Sequence, residues 1–430
     1  MRSQLSWYDA PPSAARLTTS LRDIGYDFPT AVADLVDNAI SAGASQVGIE
    51  LVFRPNDSYV LIADDGKGMT PSELLEALRF GSRRDYEHNE LGRFGLGLKT
   101  GSFSQCRRLS VVSRPQRNPS RTTVRTLDLD FIEETDSWGV LADEGGEAVD
   151  HAIRLLQDGP GTVVVWENLD RVLPDRFAES GWGRRRLNTL ANKTSEHLSM
   201  VFHRFLAGSH GLSRVGISVN HEKLEAWNPF AIDEAATLAL PPEIFEVEVE
   251  GLTADVVFSG YVLPPRDRFS SPDEFERMSG PLKWNRQQGL YIYRANRLVQ
   301  FGGWNGIRGI DEHTKLARAS VDFDTRLDEQ FQINVAKMSV ALPASIKSML
   351  ERPIHELCVR ADSEYRRGAA FKQKVSSTPS KNPNVDGVAL REVGIALKAA
   401  LLEHNDLGSY RRALEALKAR HPELARTLDL

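Results

Sequence analysis

Asp34, Asp37, Asn38 and Ser41 fall at i, i+3, i+4 and i+7 of the segment FPTAVADLVDNAISA, residues 28–42. On a helix that spacing gathers the four on one stripe of an otherwise apolar cylinder, made by Val32, Leu35, Val36, Ala39 and Ile40. Such a stripe is either a solvated face or a working one. As a working face, a carboxylate one turn from an amide can orient a water. The amide oxygen can complete the shell of a Mg²⁺ that also binds phosphates, because Mg²⁺ takes oxygen ligands and keeps its own waters.

Three further strings carry chemistry when taken together. Asp64-Asp65-Gly66-Lys67-Gly68-Met69 follows an apolar run directly. It reads as a strand-ending turn, or as a site where Asp64 accepts a hydrogen bond from an amino group of a base while Gly66 and Gly68 admit backbone close to the ring. The spacing does not suit an EF-hand loop, which needs a carboxylate at its twelfth position. Gly92-Arg93-Phe94-Gly95-Leu96-Gly97-Leu98-Lys99-Thr100-Gly101 clusters glycines just before a helix-like segment ending near Cys106. Free amides at a helix start favour phosphate. It is not a Walker A loop, since Leu98 rather than lysine follows Gly97, and it does not keep the dinucleotide fingerprint spacing. Gly161-Thr162 opens the apolar run VVVWEN and means little alone.

The elements that must position these residues are legible from pattern. Pro29 near the first turn and Gly43 past the end bound a helix over 28–42. Strands are expected at Gln46–Phe53 and Tyr59–Ala63, joined by the turn residues RPNDS. Thr70 and Glu73 form a capping box opening a helix to about Phe80. Further strands are expected at Arg108–Arg114, Thr122–Leu129 and Thr162–Glu167, and a long helix at Leu187–Leu206. A second mixed region begins near Arg214, with β-rich runs at Glu243–Val249, Ala254–Leu263 and Gly289–Tyr293 and a closing helix at Pro343–Arg366. Residues 372–388 have linker composition, and helical leucine spacing follows from Leu390 to Leu417.

Composition sets the frame around these motifs. The chain has 430 residues, is 41% hydrophobic and carries a net charge of −6, so whole-chain disorder and a globally basic nucleic-acid coat are excluded. No stretch approaches the roughly 18 apolar residues that span a bilayer, so no membrane partner is expected. The first residues lack an apolar secretory core, and only Cys106 and Cys358 occur, so the expected setting is a reducing cytoplasm. The arginine runs at 184–186, 266/268 and 107/108 read as solvated faces or as phosphate contacts. The ten histidines show no metal-ligand spacing.

The order and placement of the four motifs resemble the GHKL ATPases, the superfamily of gyrase, the large heat-shock chaperones, histidine kinases and MutL. DLVDNAISAGA is similar to the MutL N-box, and GRFGLGLKTGS resembles the lid of MORC proteins. The likeness covers residues 20–170 well and extends more weakly over 211–370. There GLYIYRANRLVQFGGW resembles a second-domain segment of MORC-type proteins, and INVAKMSVALP resembles the transducer loop whose lysine reaches the γ-phosphate, here Lys337. The resemblance implies an α+β fold. A GHKL (Bergerat) α/β sandwich over residues 1–210 would be followed by an α/β transducer domain over 211–370. A linker over 371–388 and a helical tail over 389–430 would complete it.

Carried over residue by residue, the resemblance implies ATP and Mg²⁺ as ligands. Asn38 would hold Mg²⁺. Asp64 would read the adenine amino group, with Thr162 helping through water, and Gly66, Gly68 and Met69 would line the base pocket. Gly92, Phe94, Gly95, Leu96, Gly97, Leu98 and Lys99 would form the lid over the phosphates. Asp34 stands where the family's general base is usually glutamate. Aspartate is one methylene shorter, and a misplacement of about 1 Å can cost on the order of a hundredfold in rate. The implied activity is a slow ATPase acting as a dimerising switch on DNA or within a restriction or phage-defence complex, with a partner supplying any nuclease. A chaperone-like remodeller and a nucleotide-binding module with little turnover are the alternatives.

Overall fold

The structure is a computed structural model that describes residues 12–23, 25–81, 97–117, 121–142, 145–156, 159–174, 181–249, 252–328, 331, 340, 342–374, 415 and 418. Its contacts group into two units, Met1–His197 with Val215–Leu224, and Leu198–Arg214 with Glu225–Leu430. The expected α+β class is what is observed. No helix among the described residues is long and apolar enough to cross a membrane.

In the first unit, helix α1 spans Ala14–Arg22 and α2 spans Phe28–Ser41. Asp27 caps α2 by accepting from the Thr30 amide at 3.0 Å, Pro29 sits in its first turn, and Gly43 leaves it at φ +78°. Strands β1 (Gln46–Val52) and β2 (Tyr59–Asp64) form a hairpin. Its turn is held by the Ser58 hydroxyl, which accepts from the Arg54 amide at 3.0 Å and donates to the Arg54 carbonyl at 2.6 Å. Helix α3 (Pro71–Leu78) opens on the expected capping box of Thr70 and Glu73. Then come α4 (Gly97–Phe103), β3 (Arg108–Arg114), β4 (Thr123–Asp128), α5 (Leu129–Thr135), β5 (Leu141–Ala142), α6 (Glu147–Leu155), β6 (Gly161–Glu167) and α7 (Gly181–Val201).

These strands join β7 (Gly216–Val219) and β8 (Glu222–Lys223) in one sheet of order β5-β4-β3-β6-β2-β1-β7-β8, in which only the β1–β7 pairing is parallel. Alternation along β6 gives the sheet two working faces. Val163 and Val165 join Tyr59, Leu61, Val112 and the α6 residues Val149 and Ala152 in one core. On the opposite face Trp166 is fully buried. Its ring meets Phe28 of α2 edge-on at 5.7 Å, and its indole N–H donates to the Ser102 hydroxyl of α4 at 2.8 Å. Thr162 lies two and four residues before Val164 and Trp166, so it shares their face, the side covered by α2 and α4.

The second unit holds α8 (His203–Ala207), β9 (Leu238–Ala239), β10 (Glu243–Val249), β11 (Leu252–Val262), α9 (Pro272–Met278), α10 (Lys283–Gln287), β12 (Gly289–Arg294), β13 (Arg297–Phe301), β14 (Ala317–Phe323) and α11 (Ala344–Lys374). Its six-stranded sheet runs β10-β11-β14-β12-β13, with β9 paired to β11. Leu350, Ile354 and Leu357 of α11 are buried in a core with Val256, Ala319 and Tyr291. The long helix expected over 187–206 begins earlier, at Gly181, and breaks at Phe202 before α8. Beyond residue 374, only 415 and 418 of the expected linker and tail fall among the described residues.

Candidate functional site

The polar stripe of α2 is solvated only in part. Asp34 is 4% exposed and Asp37 fully buried, while Asn38, one turn on from Asp34, is exposed, as is Ser41. Buried carboxylates are costly unless something engages them, so the burial of Asp34 and Asp37 marks a specialised position on α2. Gly97, the first residue of α4, lies directly against Asp34: a Cβ there would stand 3.3 Å from its Oδ2. Asp34 therefore sits in the seam between α2 and α4, with Asn38 at its solvent end.

A second group gathers at the ends of β2, β6 and β3. The register pairs Asp64 with Thr162 and Thr162 with Ser113. Asp64 Oδ1 accepts from the Gly66 amide at 2.9 Å. Burial pushes its carboxyl up to about 6, against the opposing pull of the Gly66 and Thr162 amides. Asp65, next in sequence, does different work: its carboxylate accepts from the amides of Ser45 (2.7 Å) and Gln46 (2.8 Å) and ties the start of β1 to this loop.

Glycine is required at two points here. Gly68 has φ +61°, and a Cβ would stand 1.9 Å from the Arg114 carbonyl oxygen. At Gly161, with φ +154°, a Cβ would stand 2.1 Å from the Asp64 carbonyl oxygen. Gly66 is less crowded: a Cβ there would stand 2.9 Å from Ala42 Cβ and from Asp64 Oδ1. Backbone thus closes on backbone around Asp64, forming a polar floor beside half-buried Met69.

Ser113 was not singled out by the sequence. Fully buried on β3, it accepts from the Met69 amide at 2.8 Å, donates to the Gly161 carbonyl at 3.1 Å and lies 3.0 Å from the Thr162 hydroxyl. Nothing in RLSVVSR distinguishes it; only the strand register brings it to Thr162.

Of the expected lid, Gly92, Phe94, Gly95 and Leu96 lie outside the described residues, as does Lys337. Gly97 and Leu98 open α4 and are partly exposed. Lys99 is 1% exposed and points into the unit. Its ammonium donates to the Ala77 carbonyl (2.9 Å) and the Arg79 carbonyl (2.8 Å), at the C-terminal end of α3, and lies 5.8 Å from the Phe80 ring centroid. Burial pulls its amine down to about 8, with Glu76 opposing. In this arrangement Lys99 caps a helix.

A model of the family described as "Histidine kinase-, DNA gyrase B-, and HSP90-like ATPase" matches residues 26–162, a span that contains Asp34, Asn38, Asp64, the glycine cradle, Ser113 and Thr162. The chain is similar to ATPase morc-1 of Caenorhabditis elegans, 38% identical over 85 residues, 20% of this chain and 10% of that protein. It is similar to Protein MICRORCHIDIA 6 of Arabidopsis thaliana, 34% identical over 111 residues, 24% of this chain and 17% of that one. It is also similar to the DNA mismatch repair protein MutL of Paramagnetospirillum magneticum, 33% identical over 91 residues, 20% of this chain and 15% of that one. The aligned stretches thus span less than a fifth of each of these relatives.

Proposed function

The chain carries an ATPase domain of the GHKL, MORC/MutL type, and from that premise we propose that it binds ATP with Mg²⁺, hydrolyses it slowly and uses the nucleotide to gate self-association. The observation that carries the reading is the group around Asp64: an ionisable acceptor paired across the sheet with Thr162, whose hydroxyl lies on the same sheet face, which suits a base bearing an amino group. Asp64 would accept from the amino group of adenine, beside Thr162, Gly66, Gly68 and Met69.

At the phosphate end, Asn38 offers a solvent-facing amide oxygen one turn from a carboxylate, a donor of the hard type that Mg²⁺ prefers. Bound there, Mg²⁺ would neutralise charge on the phosphates. Asp34 would take a proton from the attacking water as its oxygen bonds the γ-phosphorus. The bond from that phosphorus to the β–γ bridging oxygen breaks, ADP departs with the electron pair, and inorganic phosphate remains. Gly92 to Lys99 would line the phosphates and Lys337 would reach the γ-phosphate, as the resemblance implies. Aspartate at position 34 favours a slow rate, and for the same reason a nucleotide-binding module with little turnover is the second reading.

Size-exclusion chromatography with light scattering on the full chain, with and without a non-hydrolysable ATP analogue, tests the switch. A dimer appearing only with nucleotide is expected, and an unchanged monomer mass would sink it. Adding DNA at two salt concentrations asks what is acted on: salt-sensitive, nucleotide-dependent retention supports DNA, and its absence directs attention to a protein client. A partner nuclease or other defence protein would be sought by co-purification under the same nucleotide conditions.

A further inference from the structure

The hydrogen-bonding capacity of Ser113 sets the polarity of its neighbour. A serine hydroxyl has one proton and two lone pairs. The Met69 amide only donates, so one lone pair of Ser113 Oγ is taken at 2.8 Å. The Gly161 carbonyl only accepts, so the Ser113 proton goes there, at 3.1 Å. The remaining contact is the Thr162 hydroxyl at 3.0 Å, and what Ser113 has left for it is a lone pair. In the arrangement that saturates Ser113, Thr162 therefore spends its only proton on Ser113 and keeps lone pairs alone for the sheet face it shares with Asp64. Ser113 is fully buried and Thr162 is 7% exposed, so water does not readily replace either bond.

Resting on the reading of Asp64 and Thr162 as the base-facing pair, we infer that Ser113 is a specificity-determining residue: by fixing the Thr162 hydroxyl as an acceptor, it makes the site take a 6-aminopurine and reject a 6-oxopurine. An exocyclic amino group, or a water it donates to, meets two acceptors. A 6-oxo group would bring a third acceptor against them, and sites built to pair a polar substrate group discriminate strongly against an analogue that leaves their own groups unpaired.

Calorimetric titration of the full chain with non-hydrolysable analogues of ATP and of inosine triphosphate separates the possibilities, because the two share sugar and phosphates and differ at position 6 and in the proton that the 6-oxo base carries on N1. In Ser113→Ala, Thr162 is released to donate. The preference for ATP should narrow by roughly three- to tenfold, the size of one hydrogen bond. Ser113→Cys preserves the buried volume with a weak donor and should move the ratio in the same direction, which keeps the test informative should the alanine variant fold poorly. Ser113→Thr retains the hydroxyl and should restore the wild-type ratio. In a Thr162→Val background, Ser113→Ala should change the ratio by less than about twofold, since the group it orients is gone. A merely structural Ser113 would weaken both nucleotides equally and leave the ratio intact, and that result overturns the inference while the ATP site stands. A wild-type chain that binds neither nucleotide, or does not prefer ATP, instead overturns the base-site reading.

Discussion

At the base end of the proposed nucleotide site, Asp64, Thr162 and Ser113 are carried on three hydrogen-bonded strands, and Gly68 and Gly161 let carbonyls close on them within the reach of a missing Cβ. At the phosphate end, the groups in question are side chains on helices: Asp34 in the α2–α4 seam, Asn38 in solvent, and Lys99 turned to the carbonyls that end α3. The first end is shaped by backbone and would meet its ligand as it stands. At the second, Lys99 would have to give up two carbonyl bonds to meet a phosphate. Recognition would thus be built into a sheet, while at the phosphate end Lys99 is committed elsewhere.

The largest effect expected lies at the phosphate end. Asp34→Asn keeps the size of the side chain and removes the base, so ATP turnover should fall by about 10²–10⁴-fold while analogue binding stays within a few-fold. Asp34→Glu restores the missing methylene and should raise turnover above wild type. Steady-state phosphate release read beside calorimetric binding separates the two ends. An Asn variant with unchanged rate removes Asp34 from the chemistry.

The reverse dissociation is expected from Gly68→Ala. At φ +61° and with the Arg114 carbonyl oxygen 1.9 Å from the new Cβ, the loop must shift, at a cost of about 1–3 kcal/mol in strain alone. ATP binding should weaken by at least about tenfold and the melting temperature should drop by several degrees. Unaltered affinity would show that this approach of backbone to backbone does not shape the base floor.

Acidification, read through the ratio of two nucleotides, should report on the base end. Ionised, Asp64 accepts more strongly from an amino group and has no proton to offer a 6-oxo group, and its carboxyl sits at about 6 without ligand. Stronger binding by the ionised form means affinity is present above about pH 6 and lost below it. The phosphates titrate nearby, but they do so equally in ATP and inosine triphosphate. The ratio of the two affinities should therefore fall by about tenfold between pH 7 and pH 5. A flat ratio would mean that Asp64 does not read the base.

The same contrast governs what could be read from the chain beforehand. Helices α2 and α3 and the β1–β2 hairpin carry local signals, namely Pro29 and Gly43, the Thr70–Glu73 box and the RPNDS turn, and they stand where those signals put them. Strand β14 was not legible. Its residues are buried on both faces, so no alternation marks it, and it contains Arg318, which is fully buried and donates to the carbonyls of Pro229 (2.7 Å) and Met278 (2.6 Å). Asp64 and Thr162 stood out through their motifs. Ser113 did not, because its importance is a matter of cross-strand register. The inward turn of Lys99 depends on where α3 ends, a distance of some twenty residues along the chain that no spacing rule spans.

Lys99 offers the smallest and most local test. Its amine is at about 8 in the folded chain, against 10.5 ordinarily, so the fold holds a charge that burial disfavours. The sign follows from linkage: below about pH 8 both states are protonated and the penalty is complete. Between about 8 and 10.5 the unfolded state binds more protons, so stability attributable to this group rises with pH. Lys99→Met removes the titration while keeping an unbranched chain in the pocket. The melting temperature of wild type relative to Lys99→Met should therefore climb by a few degrees from about pH 7.5 to pH 10, other groups cancelling in the difference. A saturating ATP analogue should change that climb if the ammonium leaves the α3 carbonyls for a phosphate. An identical climb with and without nucleotide would mean that Lys99 stays a helix cap throughout, and that the phosphate end is completed by other groups.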